Sequence, residues 1–261
     1  EGEYMKGEDY DAFLADPGDW AIRKYWPRVF PGLAGFAALP PLGMAAFGHY
    51  NLYNLGSLKA PPIVEALRNL AAGIEAQAGA DARAVASVGR MAELGFAPPT
   101  FVGSLIEAPF DFMSDTLRGM RGIMLDIHRR PQKLLAAMDR VLEFELEFAI
   151  NWSRATGINV SFIPLHRGSD GFMSIPQFEK FYWPTLKAMQ EGLVAAGIMP
   201  FVFYEGVWDQ RLHYLAELPK GKVSGLFQAS DIFKVKEVVG ETMCIAGGMA
   251  NSLLQAGTAD E

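Results

Sequence analysis

His166 and Glu205 have the most chemistry to offer, because each stands directly after an apolar run that reads as a buried strand. His166 follows Ile158–Leu165. Its imidazole titrates near neutrality, so it can act as general acid, general base or metal ligand. Glu205 closes the run Pro200–Tyr204. A carboxyl at the rim of a dry pocket has its pKa raised, which suits a proton donor, and in ionised form it could bind a cation. The structural alternative is an ion pair with Arg211 on the following helix. Glu107 occupies the equivalent place after Phe101–Ile106 and completes the catalytic set, whereas Asp111 reads as a cap of the next helix. Arg167 could clamp a carboxylate or phosphate, or pair locally with Asp170. Gln228 and Asp231 follow Val223–Phe227, the first as a hydrogen-bonding group and the second as a helix N-cap. Tyr204 and Trp208 could stack on a flat ring or simply pack. Cys244 sits inside Met243–Ala246 and reads as a core thiol without the paired spacing of a zinc site. Metal content stays open, with His166 and Glu205 as the candidate ligands.

The elements that must position these residues repeat from residue 97 onward. Short apolar runs at Phe101–Ile106, Ile158–Leu165, Met199–Tyr204, Val223–Phe227 and Met243–Ala246 are each followed by a loop and then a helical pattern or a helix start. Pro131 opens a long helix that Gly157 ends, Ser174 with Gln177 makes a capping box, and Asp209–Leu218 and Asp231–Val239 read as helices. Strands buried on both faces and joined through helices are parallel βα units. The fold expected is α/β, a (β/α)8 barrel of which five strands are readable, so truncated at one or both ends. A doubly wound sheet is the alternative, but no GxGxxG turn follows any strand. In a βα barrel the residues after each strand converge on the active site, which is why position selects His166, Glu205 and Glu107. The first 96 residues are a mainly helical lead-in, with helical periodicity over Pro61–Ala78 and over Asp81–Leu94, the second capped by Asp81. We read the whole of 1–261 as a single domain. The final Gly257-Thr258-Ala259-Asp260-Glu261 looks like a helix start, and the chain begins at Glu1, so the sequence reads as an excerpt.

Composition limits the partners. Of 261 residues 50% are hydrophobic, enough for a full core, and Lys+Arg 23 against Asp+Glu 30 gives a net charge of −7. An acidic balance without a basic tract argues against nucleic acid and against an anionic membrane surface. The single cysteine fits a reducing compartment, so the expectation is a cytoplasmic protein.

The stretch Glu107–Glu261 resembles the uroporphyrinogen decarboxylase superfamily. The carrying pieces are EAPFDFMSDTLRGMRGIMLDIHRRPQKLL, SIPQFEKFYWPTLKAM and LAELPKGKVSGLFQASDIFKVKEVVGETMCIAGGMANSLLQAGTADE, and the lead-in EYMKGEDYDAFLADP looks like one anaerobic-type branch. The resemblance implies a (β/α)8 barrel and one of two chemistries. One is cofactor-free decarboxylation of acetate side chains on a tetrapyrrole. The other is methyl transfer to or from the cobalt of a corrinoid, often with zinc activating a thiol. The Met-Arg-Gln-Ala-Gly-Arg-Tyr block of true decarboxylases does not occur here. Nor does the His-x-Cys-Gly of the zinc thiol-methyltransferases: Phe203 stands in place of its His and Glu205 in place of its Cys.

The resemblance therefore implies a methyltransferase-like enzyme. It would move a methyl group between a small methylated substrate, such as a methoxyarene (O-demethylation) or a methylamine, and a corrinoid (cobalamin) on a partner protein. Zinc is left open, and so is a homodimeric state. In that picture His166, Glu205 and Glu107 protonate or polarise the leaving heteroatom, and Arg167, Tyr204, Trp208, Gln228 and Asp231 face the cofactor. Arg118 and Arg121 are further candidates to face an anionic tetrapyrrole. The alternatives are a uroporphyrinogen decarboxylase of heme biosynthesis and a barrel that binds corrinoid or porphyrin without turnover.

Overall fold

Alternating burial along three consecutive runs builds the sheet. In β2 (Val160–Leu165), β3 (Met199–Tyr204) and β4 (Ser224–Phe227) every second side chain is buried. The register aligns those residues as neighbours: Ser161 with Pro200, Ile163 with Val202 and Gly225, Leu165 with Tyr204 and Phe227. Strand side chains alternate between faces, so this set forms one continuous layer against the helices. The opposite set, including Phe162, Phe203 and Leu226, is only half-buried. With β1 (Ser104–Leu105) and β5 (Cys244–Gly247), five parallel strands lie in the order in which the chain makes them. A doubly wound sheet reverses direction at a switch point, whereas an unbroken sequential order is that of a βα barrel. The fold is α/β, as expected.

This computed structural model describes residues 3–43, 56–96, 103–249 and 255–258. The expected strand Phe101–Ile106 is therefore seen only from Gly103, and the expected helix starts after β5 and at the C-terminus fall largely outside the described residues. The chain divides into two compact units, Gly2–Pro99 and, with Glu1, Thr100–Glu261. Among the described residues no helix is long and apolar enough to cross a membrane.

In the first unit Leu33, Phe36, Leu39, Ile63 and Ala66 form a small core with Ile22 and Trp26 packed on it. Gly35 is required there, since a Cβ would stand 1.9 Å from the Pro62 carbonyl oxygen. The helix α1 (Pro61–Glu93) is continuous, which corrects the expected break at Asp81. Asp81 lies mid-helix, accepting a hydrogen bond from Gln77 at 2.7 Å across one turn. The alanine-rich sequence on either side propagates helix through Gly79.

In the second unit α2 (Gly119–Arg129) and α3 (Pro131–Thr156) lie between β1 and β2, α4 (Trp183–Ala195) between β2 and β3, and α5 (Ile232–Val239) between β4 and β5. Pro131 and Gly157 bound α3 as expected, Gly157 at φ 74°, which closes a helix at no steric cost. Ser174 and Gln177 form the expected capping box. The helix expected over Asp209–Leu218 is shorter, Leu212–Leu215. Cys244 is exposed, correcting its reading as core: β5 is an edge of the sheet, and burial there is slight.

Candidate functional site

The C-terminal ends of β1 to β4 carry Glu107, His166, Glu205 and Gln228, and one carboxylate organises the loop between two of these ends. Asp111, fully buried in the short helix Pro109–Phe112, accepts three hydrogen bonds: from the amides of His166 and Arg167 at 3.0 Å each and from the Tyr182 hydroxyl at 2.5 Å. Three donors on two oxygens fit the ionised form. Burial pushes this carboxyl up to about 7, and the Tyr182 hydroxyl and His166 amide hold it back from rising further. Asp111 is therefore not the helix cap expected from the sequence. It is the anchor that fixes the main chain on which His166 is mounted.

Four residues on, Asp115 takes the His166 ring. Asp115 Oδ2 accepts from His166 Nδ1 at 2.5 Å, and Oδ1 accepts from Arg167 Nη2 at 2.6 Å. Burial alone would raise the Asp115 pKa, but the His166 hydrogen bond and the Arg167 charge outweigh it, leaving it below the usual carboxylate range. His166 Nε2 lies 3.8 Å from Glu205 Oε1. The Asp115 hydrogen bond, opposed by burial and assisted by the charges of Asp111, Asp115 and Glu205, lifts His166 to about 9. At neutral pH the ring is an imidazolium whose Nε2–H faces Glu205.

A histidine raised this far contributes stability that is complete below its unfolded value near 6.5 and is lost as pH rises through about 9. We expect His166→Ala to cost about 2–3 kcal/mol at pH 6 and little above pH 10, as measured by urea unfolding across pH. A penalty independent of pH would mean that the ring is not charged in the native state.

Glu107 is drawn into the same cluster. Burial raises its pKa, the Asp115 charge adds to that rise, and the His166 charge opposes it. Its Oε2 is buried without a hydrogen-bond partner among the described residues. The Glu107 amide donates to Glu145 Oε2 on α3 at 3.3 Å. Gln228 Oε1 accepts from the Gly206 amide at 2.8 Å, fixing the turn after Glu205, where Gly206 has φ 72°.

Several expected contacts are replaced by others. Arg167 pairs with Asp115 and donates from Nε to Ser114 at 3.1 Å, while Asp170 pairs with Arg211 at 2.5 Å. Neither the Arg167–Asp170 pair nor the Glu205–Arg211 pair forms, because buried Arg211 is turned toward Asp170 and the Met173 carbonyl. Tyr204 and Trp208 are both fully buried, and so present no ring face to a ligand. Tyr204 stacks on Phe227 at 4.6 Å, and Trp208 packs on Tyr204, Phe178 and Tyr182. These rings support the floor of the site, a correction to their reading as cofactor contacts. Asp231 is likewise the N-cap of α5, accepting from the Phe233 and Lys234 amides. Arg118 is buried in an ion pair with Asp126 at 2.5 Å.

Gly168 lets the aromatic floor meet the His166 loop. A Cβ on it would stand 2.3 Å from Trp208 Cη2 and 2.6 Å from Tyr182 Cε1, both on rings held in place by other rings. Gly168→Ala is expected to destabilise the fold by about 3 kcal/mol. The same shift would loosen the Tyr182–Asp111 bond. Tm and the near-ultraviolet circular dichroism of the aromatic cluster report both effects, and an unchanged pair of signals would refute the packing argument.

The Asp115 hydrogen bond engages only Nδ1 of the His166 ring and leaves Nε2 facing Glu205. Among the described residues no group of three His, Cys, Asp or Glu side chains could hold a metal ion.

The sequence reading missed Asp115 and Tyr182 altogether, and it missed the role of Asp111. The available signal was the spacing of Asp111 and Asp115, one turn apart in the Phe110–Leu117 stretch. Asp115 and Tyr182 both lie in π-helical segments, Met113–Arg118 and Phe178–Tyr182, a backbone form that recurs at functional sites.

A family model described as Uroporphyrinogen decarboxylase (URO-D) matches residues 59–261, well over half of the chain. No curated protein matches the chain.

Proposed function

Because the chain belongs to the uroporphyrinogen decarboxylase family, a family of βα barrels with decarboxylase and corrinoid-dependent methyltransferase-like members, we propose that it is a methyltransferase acting on a small methylated substrate that is neutral or cationic. The observation that carries this reading is that the two cations at the rim, His166 and Arg167, both already lie against carboxylates of this chain. Glu107, Asp115 and Glu205 surround His166, with Asp111 buried beneath. The nearby cation Arg167 is already engaged by Asp115 and Ser114. Burying a substrate with several carboxylates against such a rim would cost more than it returns unless further cations faced it. A methylated ether or amine carries no such penalty.

In this reading His166 is the acid. Its Nε2–H lies on the open side of the ring, and Asp115 on Nδ1 stabilises the cation before transfer and orients the ring. Glu205, 3.8 Å from Nε2, adds its charge to those that favour the imidazolium, and the ring regains its proton from water after turnover. A proton delivered to the departing oxygen or nitrogen makes it a better leaving group as the methyl carbon is taken. A corrinoid presented by a partner protein supplies the nucleophile for the methyl group.

The test is direct. The protein is mixed with reduced cobalamin and a panel of methoxyarenes and methylamines, and methylcobalamin is followed by its absorbance. The same preparation is offered uroporphyrinogen. Methylcobalamin formation supports the proposal, whereas conversion to coproporphyrinogen without it would replace the reading with decarboxylation.

A further inference from the structure

The sheet pairs β2 with β3 as far as Leu165 and Tyr204, and His166 and Glu205 are the first residues beyond it. From there each chain enters its own loop, and the ladder no longer sets how the two side chains meet. Asp170, four residues past His166, and Arg211, six past Glu205, take over. Arg211 is only 1% exposed. It donates from Nη1 to Asp170 Oδ1 at 2.5 Å and from Nη2 to the Met173 carbonyl at 2.6 Å. Asp170 Oδ2 accepts the Gln210 amide at 3.0 Å, and the Asp170 amide donates to the Val207 carbonyl at 2.7 Å. The guanidinium lies over the Phe178 ring, 4.8 Å from its centre, which fixes the plane of the fork. Four hydrogen bonds thus stitch 166–173 to 205–211, three of them through the side chains of Asp170 and Arg211. One main-chain bond alone would let the second loop pivot. A buried ion pair adds little net stability, because desolvation offsets the attraction, and its best use is to select one arrangement.

We infer that Asp170 and Arg211 are positioning residues that lock the loop after β3 onto the loop after β2 and so hold the Glu205 carboxylate against His166 Nε2. The inference rests on the reading of His166 as the acid and deepens it by naming what sets the Glu205 contact. The charged groups around the His166 ring are Glu107, Asp111 and Asp115 from the segment after β1, its neighbour Arg167, and Glu205. Of these, only Glu205 is carried by the loop that Arg211 fastens. The His166 main chain is held from the other side, by Asp111. Breaking the latch should therefore remove the influence of Glu205 on the ring and leave that of the others.

The experiment uses the whole chain and follows the His166 ring by NMR across pH without substrate, its resonance assigned by its absence in H166Q. E205Q in the otherwise wild-type chain should lower the His166 midpoint by about 0.7 pH unit, the water-like limit for unit charges about 4 Å apart. Two backgrounds break the latch. R211K keeps the charge but cannot reach Asp170 and the Met173 carbonyl together. D170L combined with R211M replaces the pair by apolar side chains and strands no charge. In either background E205Q should shift the midpoint by about half as much or less, since Glu205 then swings away from the ring. An unmoved midpoint in E205Q alone overturns the inference. So does an undiminished E205Q shift in a folded latch variant, and with a lowered Tm that result would mark the pair as merely structural. If one background does not fold, the other decides. Where methyl transfer is measurable, the alkaline fall of the rate in R211K should move to lower pH together with the His166 midpoint, with KM little changed. A diminished E205Q shift without any methyl transfer sinks the proposed reaction and leaves the latch standing. Methyl transfer with an undiminished shift does the reverse.

Discussion

Replacing His166 with Gln is expected to lower kcat/KM for methyl transfer by about 10²–10⁴-fold while the fold survives, because a positioned acid contributes on that scale. Glutamine keeps a donor near Asp115 but cannot deliver a proton. The pH profile separates acid catalysis from mere binding. With His166 raised to about 9 by Asp115, the wild-type rate should hold through neutrality and fall as pH rises through about 9. Asp115→Asn removes the largest cause of that rise, so the fall should move toward the ordinary histidine value of about 6.5. Asp115→Asn should therefore be nearly normal at pH 6 and strongly impaired at pH 8. A His166→Gln enzyme with undiminished rate, or an Asp115→Asn profile that does not move, would remove His166 from the chemistry.

Strand-end position made His166, Glu205, Glu107 and Gln228 legible, since the apolar runs are short and each is followed by a loop and a helical pattern, and a βα unit delivers its functional groups at that boundary. The structure places these four at the ends of consecutive strands, and Glu205 within 3.8 Å of His166. What stayed hidden were the groups that hold them. Asp111, Asp115, Tyr182 and Glu145 all sit within helical segments, where a carboxylate or phenol at helical spacing reads equally well as solvated surface or as core. Their roles depend on which way a helix is rotated against the sheet, a tertiary fact. The same limit explains Cys244. Apolar neighbours predict burial in a strand, and only the position of β5 at the sheet edge exposes it. Tyr204 and Trp208 failed differently: they lie at the rim in sequence, yet Tyr204 points to the helix-covered face, because Leu165, Tyr204 and Phe227 share one row of the register.

The hidden residue with the largest expected effect is Asp111. Asp111→Ala would leave the amides of His166 and Arg167 and the hydroxyl of Tyr182 without their shared acceptor. A buried donor left unsatisfied costs about 1–3 kcal/mol, so the loss should reach about 4 kcal/mol by urea unfolding. Asp111→Asn is not conservative here, since its amide nitrogen would meet an N–H or O–H with another donor. It should cost nearly as much, whereas Tyr182→Phe, which removes one donor and leaves the carboxylate on two amides, should cost about 1–2 kcal/mol. That ordering tests the network, because a simple cavity argument would rank Asp111→Asn, the near-isostere, as the mildest of the three. The functional consequence follows from the same bonds. His166 is held in place through its own main chain by Asp111 and through its ring by Asp115. Tyr182→Phe should therefore leave the His166 titration in place while slowing turnover, and Asp111→Asn should disturb both. If Asp111→Asn proves as stable as wild type, the buried carboxylate is not what fixes the loop, and the position of His166 must be set by the aromatic floor alone.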